Sequence, residues 1–107
     1  MNKYFNEQST ILLTGASSGI GKCLAEILVT KYNSTVLGVG RSEEKLNMVK
    51  TLLGDKFIPI TADISLESEW ERLYNLVTDN GYKLSGIINC AGVLPKFSSF
   101  NSEYYTE

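Results

Sequence analysis

Residues 14–21, TGASSGIG, place three glycines and three hydroxyl side chains between an apolar run and a helical pattern. The chemistry this suits is the holding of phosphate. A loop entering a helix leaves backbone N–H groups open and aims the positive helix end at one spot. Gly15 can turn where a side chain would clash, and Gly19 and Gly21 admit the close approach of a ligand and of a neighbouring strand. Thr14, Ser17, Ser18 and Ile20 complete the loop. It is not GxGxxG, because counting on from Gly19 and Gly21 the third position is Leu24, and it is not a Walker loop, because no GK[ST] follows. Three further segments carry polar groups at the ends of apolar runs: Arg41 and Ser42 after Gly40, Asp63 and Ile64 in ADIS, and NCAG at residues 89–92.

The elements that must position these groups follow from periodicity. Residues 10–13, TILL, form a short continuous apolar run, as in a strand buried on both faces of a parallel sheet. Over residues 19–32, Ile20, Leu24, Ile27 and Leu28 recur at helical spacing, and Asn33 can supply a left-handed stop. Residues 35–39 read as a strand, and residues 43–53 as a helix with Leu46, Val49, Leu52 and Leu53 inward. Ser42 caps that helix, Glu43 and Glu44 suit its positive end, and Gly54 follows it. A third strand, residues 57–61, leads to a helix of about 15 residues carrying Trp70, Leu73, Leu76 and Val77, ended by Asn80 and Gly81. Trp70 reads as a core aromatic rather than a stacking platform.

A fourth strand, residues 86–90, completes βαβαβαβ. Its crossovers demand parallel strands with right-handed connections. The expectation is an α/β fold, a Rossmann-type doubly wound sheet of order 3-2-1-4, with residues 1–107 as one nucleotide-binding domain. The fourth strand then has a bare edge beside Val93, Leu94, Phe97 and Phe100, which implies a homo-oligomer or a missing C-terminal segment.

TGxxxGxG resembles the cofactor loop of the short-chain dehydrogenases/reductases, and NCAG resembles that family's NNAG, with Cys90 where the family has its second Asn. The resemblance covers nearly the whole chain. It implies an oxidoreductase that moves hydride between a nicotinamide cofactor and a carbonyl or alcohol. The implied cofactor contacts are the glycine loop from Thr14 to Gly21 together with Asn89, Ala91 and Gly92. Asp63 and the backbone of Ile64 are implied contacts of the adenine ring; a turn or cap role for Asp63 stays open beside it.

In this fold an acid ending the second strand binds the ribose 2′-OH of NAD, and here that position is Gly40 followed by Arg41 and Ser42. An arginine there pairs with a 2′-phosphate, so NADP is expected over NAD, with Ser17 a second phosphate contact. The alternative is that Arg41 only solvates a helix start.

The family's acid/base tyrosine lies in YxxxK. Four positions after Tyr4, Tyr32, Tyr74 and Tyr82 stand Gln8, Val36, Thr78 and Gly86, and for Tyr104 and Tyr105 the position lies past Glu107. No catalytic residue is therefore assigned, and a non-catalytic NADP(H)-binding module or redox sensor acting with a partner is the competing reading. A structural remnant that binds nothing is a third.

Composition agrees with a globular chain: 43% of the 107 residues are hydrophobic and 21% charged. A net charge of −2 without a Lys/Arg run argues against nucleic acid or an anionic membrane as partner. The absence of histidine argues against metal catalysis. Cys23 and Cys90 match no CxxC and read as small buried residues of a reducing compartment. With no apolar leader or membrane span, the cytoplasm is the expected location.

Overall fold

Residues 5–91 are described by the computed structural model, and among them parallel strands alternate with helices in the expected order. The elements are β1 (Thr10–Thr14), α1 (Gly19–Thr30), β2 (Thr35–Gly40), α2 (Glu43–Leu53), a 3-10 turn (Gly54–Lys56), β3 (Phe57–Thr61), α3 (Glu67–Asp79) and β4 (Gly86–Asn89). The sheet order is β3-β2-β1-β4, all parallel. Leu12 lies opposite Leu37 of β2 and Ile87 of β4, and Leu37 opposite Ile58 of β3.

The middle of β1, Ile11 to Leu13, is apolar because both faces of the sheet are covered. Ile11 and Leu13 pack with Ala25, Leu28, Leu46, Val49 and Phe57 on one side. Leu12 faces the other side with Leu37, Val39, Ile60, Trp70, Leu73 and Val77. Each such side chain contributes about 1.5–3 kcal/mol when removed from water. The Trp70 indole N–H donates to the Ile64 carbonyl at 2.7 Å, so this buried ring is satisfied as part of the core.

Helix ends follow local chemistry. Ser42 Oγ accepts from the Lys45 N–H at 3.2 Å, with Glu43 and Glu44 in the first turn of α2. Asn33 adopts φ 57°, the left-handed stop expected after α1.

The inward faces differ from the expectation in three places. Ile20 and Ile27 are 74% and 41% exposed, and the buried stripe of α1 is Gly21, Ala25, Leu28 and Val29. The cause is the docking of Gly21: a Cβ there would stand 1.8 Å from the Gly15 carbonyl oxygen, so the helix meets the loop backbone to backbone with Gly21 inward, and the neighbouring Ile20 turns away. Cys23, two residues on from Gly21 and so about 200° round the helix, is exposed rather than buried. On α2, Leu46 and Val49 are buried and Leu53 half-buried, but Leu52 is 58% exposed, about 60° beyond the inward stripe.

Boundaries shift slightly: α1 ends at Thr30 rather than residue 32, α3 has 13 residues, and β4 ends at Asn89 rather than residue 90. Val93, Leu94, Phe97 and Phe100 lie outside the described residues. No helix among the described residues is long and apolar enough to cross a membrane.

A Cβ on Gly38 would fall 2.2 Å from Cζ of the fully buried Phe57. Gly38→Ala is therefore expected to destabilise the fold by about 1–3 kcal/mol through overpacking. Gly86→Ala, whose Cβ would meet only Ile11 at 3.8 Å, serves as the control. Urea midpoints of the two variants check this; equal midpoints would refute it.

Candidate functional site

The carboxyl ends of all the described strands lie along one edge of the sheet. The connection direction reverses between β1 and β4, which opens a crevice there. A cleft of about 380 Å³ occupies this place. Gly15, Ser17 and Ser18 come to it from the first loop, Val39, Gly40 and Arg41 from the end of β2, Ala62, Asp63, Ile64 and Ser65 from the loop after β3, and Cys90 and Ala91 from the end of β4.

The floor is held by hydrogen bonds between strand ends. Thr14, fully buried, donates its hydroxyl to Asn89 Oδ1 at 2.5 Å, and the same hydroxyl oxygen accepts from the Cys90 N–H at 3.1 Å. Asn89 Oδ1 also accepts from the Ala91 N–H at 3.2 Å. The first loop and NCAG are therefore fastened to each other. Gly15, at φ +68°, sits so close to that junction that a Cβ would reach the Cys90 carbonyl carbon at 2.9 Å. On the other side the Ala16 N–H donates to the Val39 carbonyl at 3.1 Å, and the Ala62 N–H to the Gly40 carbonyl at 2.9 Å.

The third loop is braced from outside. Glu69 Oε1 accepts from the Asp63 N–H at 3.1 Å and from Arg72 Nη2 at 2.9 Å, while Glu69 Oε2 accepts from Arg72 Nε at 3.0 Å. Arg72 Nη2 also donates to the Thr61 carbonyl at 2.7 Å. The guanidinium, with the Asp63 N–H, holds the Glu69 carboxyl at about 2, well below its ordinary value. Within the loop, Asp63 Oδ1 accepts from the Ser65 hydroxyl at 2.6 Å and the Ser65 N–H at 3.1 Å. These two bonds, with Arg41 nearby, lower the Asp63 carboxyl.

Of the residues singled out in the sequence, Gly15, Ser17, Ser18, Arg41, Asp63, Ile64 and Ala91 line the cleft together. Thr14 and Asn89 lie beneath it, and Gly21 is buried behind the loop. Gly19 and Ile20 begin α1 in the open and do not line the cleft, and Ser42 is occupied in capping α2. Gly92 lies outside the described residues. Asp63 is a turn residue that also lines the cleft. Sequence reasoning does not pick out Ser65, Glu69 or Arg72. The D-x-S spacing is a signal for the first, while nothing short of the folded loop marks the other two.

Chemically, the cleft offers a positive wall at Arg41, which makes no hydrogen bond or ion pair among the described residues, and a carboxylate wall at Asp63. Between them stand hydroxyls and backbone N–H groups before a helix whose first turn holds no acidic residue. Such a place has the groups to hold a phosphorylated ligand.

The family model described as short chain dehydrogenase matches residues 9–107. An uncharacterised oxidoreductase of Saccharomyces cerevisiae is 36% identical over 92 residues, covering 85% of this chain and 36% of that protein. The NADPH-dependent pterin aldehyde reductase of Arabidopsis thaliana is 33% identical over 91 residues, 83% of this chain and 37% of the relative. The structure of a short-chain type dehydrogenase/reductase from Mycobacterium ulcerans superposes with a TM-score of 0.73 at 33% identity, covering 84% of this chain and 34% of that one. The chain thus spans little more than a third of the length of these relatives.

Two outcomes follow from the bonds above. Thr14→Val removes the hydroxyl between the strand ends and is expected to cost about 1–2 kcal/mol in urea unfolding; a loss below about 0.5 kcal/mol would show that the bridge holds nothing. Glu69 has a depressed folded pKa, so its contribution is fully present above its ordinary 4.5 and is lost as pH falls through about 2. The gap in melting temperature between the native chain and Glu69→Gln is expected to narrow across that window, and a constant gap down to pH 2 would refute it.

Proposed function

Because the chain belongs to the short-chain dehydrogenase family, we propose that it forms the NADP(H)-binding domain, spanning residues 1–107, of an oxidoreductase interconverting a carbonyl and an alcohol. The observation that carries this reading is the end of β2, where Arg41 lines the cleft and Gly40 stands in the place of an acid. A Cβ on Gly40 would come 3.2 Å from Ser17 Oγ, so the bare backbone there lets the Ser17 hydroxyl approach the position a 2′-phosphate takes. Arg41 provides the charge and Ser17 a further donor, a combination that suits a phosphate and not a free ribose hydroxyl.

Thr14, Gly15, Ser17, Ser18, Gly19, Ile20 and Gly21 are assigned to the pyrophosphate loop, Arg41 and Ser42 to the 2′-phosphate end, and Asp63 and Ile64 to the adenine. Asn89, Ala91 and Gly92 complete the set, Gly92 on the NCAG motif alone. Bound there, the dinucleotide supplies the hydride. The proteins' names support the preference only by analogy: the Arabidopsis relative is NADPH-dependent.

Tyr4, Tyr32, Tyr74 and Tyr82 have no lysine four positions on, and for Tyr104 and Tyr105 that position lies past Glu107, so proton transfer is assigned to groups outside these 107 residues and the chain by itself is expected to turn nothing over. The same observation favours a second reading, a non-catalytic NADP(H)-binding module or redox sensor acting with a partner. Among the described residues β4 is the outermost strand on its side of the sheet, which fits pairing with a further strand, from a second copy or from a C-terminal segment. The cytoplasm remains the proposed location.

Fluorescence titration with NADPH and NADH tests the cofactor assignment. The native chain is expected to favour NADPH at least tenfold, as one charged hydrogen bond of about 1.5–3 kcal/mol allows. Arg41→Asp is expected to abolish or reverse that ratio. An unchanged ratio would remove Arg41 from the site.

A further inference from the structure

We propose that Glu69 and Arg72 are positioning residues for adenine recognition, acting through the loop after β3 rather than by touching the ligand; this rests on the NADP(H) reading above. The loop contributes Ala62, Asp63, Ile64 and Ser65 to one wall of the cleft. Most of its polar groups are spent internally. The Asp63 N–H goes to Glu69, Asp63 Oδ1 to Ser65, the Asp63 carbonyl to the Leu66 N–H at 3.1 Å, and the Ile64 carbonyl to the Trp70 indole.

Among the loop groups without a partner among the described residues are the Ile64 N–H and the second carboxylate oxygen of Asp63. Together they form a donor beside an acceptor. Adenine carries the complement, a ring nitrogen acceptor beside an amino donor, whereas hypoxanthine carries the reverse. Reading one base against the other requires that Asp63 and Ile64 be held in fixed register.

The clamp does this from behind. Arg72 reaches the Thr61 carbonyl, where β3 ends, and fixes both Glu69 oxygens, while Glu69 fixes the Asp63 N–H two residues further on. An Arg–Glu pair at i,i+3 on an exposed helix face usually stabilises little. Here both partners spend a further hydrogen bond on the backbone of one loop. Arginine's rigid fork makes that geometry possible, and lysine's single ammonium cannot reproduce it.

The test uses the full chain with NADPH and its hypoxanthine analogue as probes. The native chain is expected to bind NADPH about tenfold more tightly than the analogue. Arg72→Met is expected to bring that ratio to within about twofold while binding of the analogue barely changes, with Arg72→Lys intermediate. Glu69→Gln, which keeps an acceptor for the Asp63 N–H, is expected to retain part of the ratio.

A ratio that survives in Arg72→Met, or equal losses for both ligands, would make the clamp merely structural and overturn the inference. If Arg72→Met does not fold, an unchanged ratio in Arg72→Lys overturns it equally. No adenine preference in the native chain would overturn it with the NADP(H) reading intact. Failure of the native chain to bind either dinucleotide would overturn both.

Discussion

Between Gly21 and the Gly15 carbonyl there is no room for a Cβ, which would lie 1.8 Å from the oxygen, and the placement of the whole site depends on that contact. It draws the start of α1 down onto the loop that leaves β1. The helix then buries the stripe Gly21, Ala25, Leu28 and Val29, with Leu24 half-buried beside it. Ile20 is left in the open as a result. The first turn of α1, which holds no acidic residue to offset the positive helix end, thereby follows directly on Ser17 and Ser18 of the cleft lining. Gly15 pressing on the Cys90 carbonyl extends the same constraint to β4.

Around this contact the cleft is polarised from two sides. Arg41 and Asp63 lie on loops from neighbouring strands, tied through the Ala62 N–H to the Gly40 carbonyl. Their attraction lowers the Asp63 carboxyl, although the Ser65 bonds do more. That ordering matters for recognition. A carboxylate fixed chiefly by its own turn can keep its place when an anion occupies Arg41, whereas one fixed by Arg41 would be released.

The layout of strands and helices was legible because each depends on local chemistry: continuous apolar runs for doubly covered strands, Ser42 and Gly54 at the ends of α2, Asn33 after α1. The loop residues were legible from TGASSGIG and NCAG, and the cleft gathers Gly15, Ser17, Ser18, Cys90 and Ala91 from them. What could not be read were contacts made by backbone against backbone or by charge against backbone. Periodicity assigns Ile20 and Cys23 by spacing alone and cannot anticipate a helix docked on a carbonyl. Glu69 and Arg72 look like any exposed pair until folding brings the Asp63 N–H and the Thr61 carbonyl beside them.

Cys90 shows how a departure from the NNAG pattern is accommodated. The polar duties at this corner fall on the Asn89 side chain, which meets Thr14 and the Ala91 N–H, and on the Cys90 backbone, whose N–H is held by Thr14. The Cys90 side chain is half-buried and packs against the apolar cluster under α1 and α2. An amide there would need partners inside that apolar surface, and a thiol needs none. The substitution therefore leaves the junction of β1 and β4 intact, and changes only the chemistry that this one side chain presents to the cleft.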